Sequence, residues 1–167
     1  MTQAFFYLSL AGLLWFTAGL IALLVIFGIQ QSISHFYYCL EVEKKSFGVL
    51  FYVWFAVTVF LMIAPMCEMG GVWGFLTGAG IAFAGAACAF KEKTQKWVHF
   101  SGAWLAAIAS VVLLWRAGLL GSYIQPALVV AIAAIGTKTV RPSLVFWLEV
   151  VVFYATLPAV MMYFANL

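Results

Sequence analysis

Six long hydrophobic runs alternate with short polar segments along the chain. They cover residues 5–29, 49–65, 72–90, 99–115, 119–135 and 144–164. Each approaches the roughly 20 residues that an α-helix needs to cross a bilayer. None shows the two-residue alternation that is typical of strands in a transmembrane barrel. Because backbone polar groups in hydrocarbon must be satisfied within their own segment, this pattern predicts about six membrane-spanning α-helices.

The composition indicates that lipid is the solvent of this chain. Hydrophobic residues make up 67% of it and charged residues 8%, with a mean hydropathy of +1.14. Soluble domains average roughly 45–50% apolar and about 25% charged residues. We therefore predict an all-α fold, a polytopic transmembrane helical bundle with a single domain over residues 1–167. The first residues lack the basic segment of a signal peptide, so we expect the first run to be retained as a span.

Basic residues are concentrated on one side of the predicted bundle. The first, third and fifth loops hold seven of the eight, namely Lys44, Lys45, Lys91, Lys93, Lys96, Lys138 and Arg141. The other loops and both tails hold only Arg116. By the positive-inside rule we expect an integral membrane protein of the bacterial inner membrane, with odd loops cytoplasmic and both termini outside. Since these basic residues flank spans, we expect membrane lipids and no nucleic acid as partners.

Small residues are concentrated in the third and fourth runs. Gly74 and Gly78 form a GxxxG motif, and Gly85 and Gly102 continue the pattern. Small side chains let lipid-embedded helices approach closely. We predict that these glycines pack the two helices as a tight hairpin at the bundle centre, in preference to lining a substrate groove. The first, second and sixth runs carry bulkier side chains, among them Trp54, and we expect those to face lipid or fill gaps.

The fifth run is shorter than the others and contains Gln125 and Pro126 near its start. Non-helical backbone at membrane depth survives only where protein or water covers it. We favour a continuous helix with proline in its first turn over a broken or re-entrant segment.

Glu149 is the clearest candidate for a functional residue. It lies about six residues into the sixth run, roughly 9 Å along a helix axis. An ionisable residue at that depth normally faces the bundle interior and has a partner. His99 begins the fourth run on the same predicted side of the membrane, so the two side chains are expected at similar depth. Such a pair most commonly closes a structural hydrogen bond between helices, and a proton relay and a metal site are the alternatives.

The first loop is polar and aromatic and lacks Gly and Pro until Gly48. It is predicted to continue the first helix or to form an interfacial amphipathic helix, with Phe36, Tyr37 and Leu40 on its buried side. Helical spacing places Ser34, Tyr38 and Glu41 on one face and His35 near another. We favour a membrane-surface anchor for this loop, and a headgroup or substrate site at the cytoplasmic rim is the alternative.

No cofactor or metal motif accompanies these candidates. His35, Glu41, His99 and Glu149 lack the HxxxH or HExxH spacing of zinc sites, and the chain contains no Asp. The three cysteines show no CxxC spacing and predict no disulfide framework. We expect neither a metal nor a cofactor.

Three short motifs occur in a recognisable order. They are Ser32 and Ser34 followed by Tyr38, then Gly85-Ala86 before Phe90, then Val98-His99-Phe100-Ser101-Gly102-Ala103. This order resembles that of the six-helix Frag/DRAM/Sfk membrane proteins and their bacterial relatives of unknown function. The sequence departs from that family where His35 replaces the usual Asp, and where the charges place the first loop inside. The resemblance implies a six-helix fold and no particular activity.

Three classes of function follow from the scarcity of ionisable groups and the short loops. We favour a protein that binds lipid or a small ligand, or that is a subunit of a membrane assembly, as a homo-oligomer or with a membrane partner protein. An intramembrane enzyme acting on a lipid headgroup at the cytoplasmic rim is the first alternative. An oligomeric pore or transporter, with Glu149 on its axis, is the second.

Overall fold

The computed structural model describes residues 1–43, 47–86, 94–136 and 141–167. The helices are α1 (Thr2–Phe27), α2 (His35–Glu43), α3 (Gly48–Gly70), α4 (Val72–Ala86), α5 (Thr94–Arg116), α6 (Gly121–Gly136) and α7 (Leu144–Ala165), with a 3-10 turn at Arg141–Ser143. No strand occurs in these ranges. The prediction of an all-α fold is confirmed.

Each predicted hydrophobic run overlaps one helix. Of the described helices, α1, α3, α5 and α7 are long and apolar enough to cross a membrane, whereas α4 and α6 are shorter apolar helices. The last four residues of the third run, 87–90, lie outside the described residues. The chain is thus a polytopic helical membrane bundle, with α2 as an additional short helix in the first loop.

Three prolines lie inside the described helices without ending them, namely Pro65, Pro126 and Pro158. The second run was predicted to end at Pro65, but α3 continues to Gly70. It ends there because Gly71 adopts a φ of +57°, which favours glycine, and donates its N–H to Cys67 O at 2.7 Å. Helix α6 is also continuous, and Pro126 lies beyond its first turn. Neighbouring helices make such prolines tolerable in membrane spans.

The helices close into a bundle. α1 packs between α3 and α7, α4 packs on α3, and α5 packs on α4 in the most extensive helix contact of the described chain. α7 also touches α3 and α5, which brings the two sides of the bundle together, and α6 packs on the outer side of α7. The α4–α5 hairpin was predicted at the bundle centre, but it forms one side of the bundle. The centre is formed by α1, α3 and α7.

The core is aromatic and lies mainly between α1, α3 and α7. Phe16 is fully buried, and its ring stacks on Trp54 at 5.0 Å and on Phe153 at 4.2 Å between centroids. Trp54 is only 6% exposed, so of the two expected roles, facing lipid and filling gaps, it has the second. Trp15 and Trp54 each donate an indole N–H to the other's backbone carbonyl, at 3.0 and 3.3 Å.

The glycines of α4 and α5 lie where helices meet most closely. A Cβ at Gly74 would collide with the backbone of Met66 on α3. A Cβ at Gly102 would lie 2.8 Å from the backbone nitrogen of Ala84, across the α4–α5 contact. Gly78 and Gly85 face the side chains of Ile63 and Phe55 on α3. Of the four glycines predicted to pack α4 against α5, only Gly102 lies at that contact, and the other three pack α4 against α3. These glycines permit close helix packing, as small residues do in membrane bundles.

Candidate functional site

The linker between α1 and α2, residues 28–34, is held against the beginning of α7. Gly28 ends α1 with a φ of +69°. Phe146 N–H then donates to Gln31 O at 3.0 Å, which satisfies one of the free amides in the first turn of α7. Ile33 N–H donates to Glu149 Oε2 at 2.5 Å. The Glu149 side chain thus connects α7 to a backbone amide 116 residues earlier in the chain.

A serine at the end of this linker starts α2. Ser32 Oγ accepts the backbone N–H of His35 at 3.1 Å and lies 2.9 Å from Ser34 Oγ. A serine at the N-terminus of a helix can accept a hydrogen bond from a backbone N–H that has no partner within the helix. This hydrogen bond stabilises the beginning of α2.

The apolar face of α2 is buried in the protein core. Phe36, Tyr37 and Leu40 are all buried, as their spacing predicted. The Phe36 ring lies 6.2 Å from that of Phe146, and the Tyr37 ring lies 6.3 Å from that of Phe51. These contacts with α3 and α7 leave this face unavailable to lipid, so a membrane-surface anchor was the wrong role for it.

A cavity of about 60 Å³ lies between α3, α4, α5, α7 and the linker. Its polar lining comes from Ser34, His99 and Glu149. Its remaining lining is apolar, contributed chiefly by Ile33, Phe55, Ile81, Val152 and Phe153, with small alanines from α4 and α5. Three polar side chains from distant parts of the sequence therefore meet in one otherwise apolar space.

The orientation of the His99 ring follows from its hydrogen bond. His99 Nδ1 lies 2.9 Å from the backbone oxygen of Ala84 on α4. A carbonyl only accepts, so Nδ1 carries the hydrogen, and in the neutral ring Nε2 is left as the acceptor. A histidine held in this tautomer can accept a proton or a hydrogen bond from a neighbouring group.

Glu149 is the only acidic side chain in the cavity lining. It lies in the second turn of α7, and within the described ranges no Lys, Arg or His side chain forms an ion pair with it. An ionisable group in a membrane bundle is costly unless it is paired or carries a proton. The backbone amide of Ile33 satisfies one carboxylate oxygen only in part, since each oxygen has two acceptor positions.

The other residues predicted for the site lie elsewhere. His35, Tyr38 and Glu41 do not line the cavity. The Tyr38 side chain is 47% exposed, and its ring lies 5.9 Å from that of His35. Glu41 lies beside the first residue of α3, where a Cβ at Gly48 would be 2.6 Å from its Oε2. Of the predicted first-loop residues, the structure brings only Ser34 together with His99 and Glu149.

Potential metal ligands are dispersed. Among the described residues, no three His, Cys, Asp or Glu side chains lie close enough to hold a metal ion. Cys39 and Cys67 are free thiols, and Cys88 lies outside the described residues. Burial raises the pKa of the Cys39 thiol, which disfavours its reactive thiolate.

Two parts of the site carried no signal in the sequence. The Ile33 amide is a backbone group, and its role depends on how the linker crosses α7. Phe55 and Phe153 are indistinguishable in sequence from the other phenylalanines of their helices, yet both line the cavity.

Comparison with known proteins returned no match to a protein-family model, a curated protein or a solved structure. The resemblance to the Frag/DRAM/Sfk proteins therefore stays a prediction. Of the residues that carry it, Ser34 and His99 reach the cavity, Gly85 packs on Phe55, and Phe90 lies outside the described residues.

Proposed function

We propose that this membrane protein binds a small molecule or the headgroup of a lipid in the cavity formed by Ser34, His99 and Glu149. The observation that carries the proposal is the convergence of these polar groups from the linker, α5 and α7 on one apolar space. Intramembrane ionisable residues are rare and usually serve a function. A few polar groups in a largely apolar pocket are typical of a binding site.

The size of the cavity limits what it accepts. A cavity of about 60 Å³ has room for a few water molecules or a group of a few heavy atoms. Larger ligands need pockets of roughly 300–1,000 Å³. The occupant is therefore a small molecule or the terminal group of a larger one, such as a headgroup whose acyl chains stay in the bilayer.

The test is to identify what copurifies with the protein. Wild type should carry a small molecule or lipid at near one equivalent by mass spectrometry, and Glu149→Gln should reduce this by about tenfold or more. Gln keeps an oxygen that can accept the Ile33 N–H, so the linker stays in place. The control is Glu68→Gln, which changes an exposed glutamate near the C-terminal end of α3. This variant should retain the ligand. Equal occupancy in all three proteins would contradict the proposal.

An enzyme acting on a lipid headgroup is the second candidate. It is favoured because one cavity lining contains both His99, whose Nε2 is an acceptor in the neutral ring, and the Ser34 hydroxyl. The enzyme hypothesis is weakened because His35 and Glu41 do not line the cavity. Of the four His and Glu side chains predicted for the active site, only His99 and Glu149 remain. Turnover of added lipid by wild type and by His35→Gln, lost in His99→Gln, would establish the enzyme. An oligomeric pore or transporter stays a prediction.

Orientation is proposed from the charges alone, with the first, third and fifth loops in the cytoplasm. Lys44, Lys45, Lys91, Lys93 and Lys138 lie outside the described residues. With both termini outside, a C-terminal alkaline phosphatase fusion in a bacterial inner membrane should be active, and a C-terminal green fluorescent protein fusion should be dark. Fusions truncated in the third loop should give the opposite pair of signals. A fluorescent C-terminal fusion would overturn this topology.

A further inference from the structure

We infer that the group bound in the cavity is a positively charged ammonium group, supplied by a free amine or by the headgroup of a lipid. This inference rests on the proposed binding function and names its ligand class. It follows from the charge, the aromatic rings and the acceptors that surround the cavity.

The charge of the lining favours a cation. Glu149 is its only ionisable acid, and no Lys or Arg side chain of the described chain lines the cavity. A carboxylate in an apolar membrane bundle is stabilised by a cation close to it. A phosphate or carboxylate ligand would instead meet the like charge of Glu149 with no cationic side chain to offset it.

The aromatic lining favours the same class. Phe55 and Phe153 both line the cavity. Their rings pack edge to face on each other, with centroids 5.9 Å apart, and the Phe153 ring also stacks on Phe16. Aromatic rings attract ammonium groups, most strongly when water is excluded, and this lining adds no second charge to the membrane interior.

The hydrogen-bonding groups complete the match. His99 donates through Nδ1 to Ala84 O, so its Nε2 is an acceptor in the neutral ring. Glu149 and the Ser34 hydroxyl are further acceptors in the same lining. An ammonium group is purely a donor, and with one or two carbons attached it fits a cavity of about 60 Å³.

The experiment compares charged ligands with neutral ones of the same shape. Purified protein in amine-free detergent is titrated calorimetrically with ethanolamine and with its neutral counterpart, ethylene glycol. In wild type ethanolamine should bind about tenfold or more tightly than ethylene glycol. Glu149→Gln should remove this preference, whereas Glu68→Gln should keep it. Phe55→Leu should weaken cation binding more than neutral binding, which gives a second variant if Glu149→Gln folds poorly.

A second arm distinguishes the two sources of the ammonium group. Protein in nanodiscs of phosphatidylglycerol is compared with protein in nanodiscs that also contain phosphatidylethanolamine. Retention of phosphatidylethanolamine through detergent extraction, and its competition with ethanolamine, would assign a lipid headgroup; binding of the free amine alone would assign a soluble ligand. Equal binding of cation and neutral counterpart would overturn the inference and leave the binding function intact. No binding of any probe and no copurifying ligand would refute both.

Discussion

Replacing Gly80 with leucine is expected to push α4 and α5 apart and to lower the free energy of unfolding by about 3 kcal/mol. A Cβ at Gly80 would collide with the backbone of Ala106 on α5 and would lie 2.8 Å from Gly102 O. The neighbouring atoms belong to the main chain of α5, so no side-chain rotation makes room. The measurement is unfolding of the purified protein in increasing mole fractions of sodium dodecyl sulfate.

Gly121 provides the matched control for this substitution. A Cβ at Gly121 would meet no heavy atom within 4 Å. Gly121→Leu should therefore unfold close to wild type, within about 0.5 kcal/mol, as surface substitutions usually do. If Gly80→Leu unfolded at the same detergent fraction as Gly121→Leu, the close α4–α5 contact would be wrong.

Phe16→Ala is expected to cost about 3–5 kcal/mol, the usual range for removing a fully buried phenyl ring. Phe16 is 0% exposed and stacks on both Trp54 and Phe153, so its loss leaves a cavity at the centre of α1, α3 and α7. The same unfolding measurement applies.

The control for Phe16→Ala is Phe60→Ala, which removes the same ring from a position on α3 that is 77% exposed. In the membrane, lipid covers this position. Loss of the Phe60 ring should therefore lower the free energy of unfolding by about 1 kcal/mol or less, within the range of ordinary substitutions. Equal losses for the two variants would mean that the packing of α1 against α3 and α7 is misplaced.

Phe16 and Phe60 illustrate how much of this fold can be predicted from the sequence. Hydrophobic runs locate helices in a membrane protein because every span must be apolar and internally hydrogen-bonded. They do not show which side of a span faces the core, since lipid tails are as apolar as the core itself. Phe16 and Phe60 are chemically identical, and only the packing of the helices distinguishes them. Glycine was more informative, because Gly74 and Gly102 lie at close contacts.

The candidate site was predictable where it depends on rare side chains. Glu149 and His99 were notable in the sequence because ionisable groups in apolar runs are costly, and both line the cavity. His35 and Glu41 were placed with them only by their side of the membrane, and they lie elsewhere. Which first-loop residue enters the cavity depends on the turn that Gly28 allows and on where Ser32 caps α2. Neither is encoded in a periodic pattern.

A structure determined in lipid nanodiscs most directly tests whether Ser34, His99 and Glu149 form one binding cavity. We expect Glu149 to face the bundle interior, with Ile33 N–H on one carboxylate oxygen and density for a bound group between Glu149 and His99. A Glu149 side chain directed to lipid, or a cavity closed by the Phe55 and Phe153 rings with no bound group, would contradict the binding site.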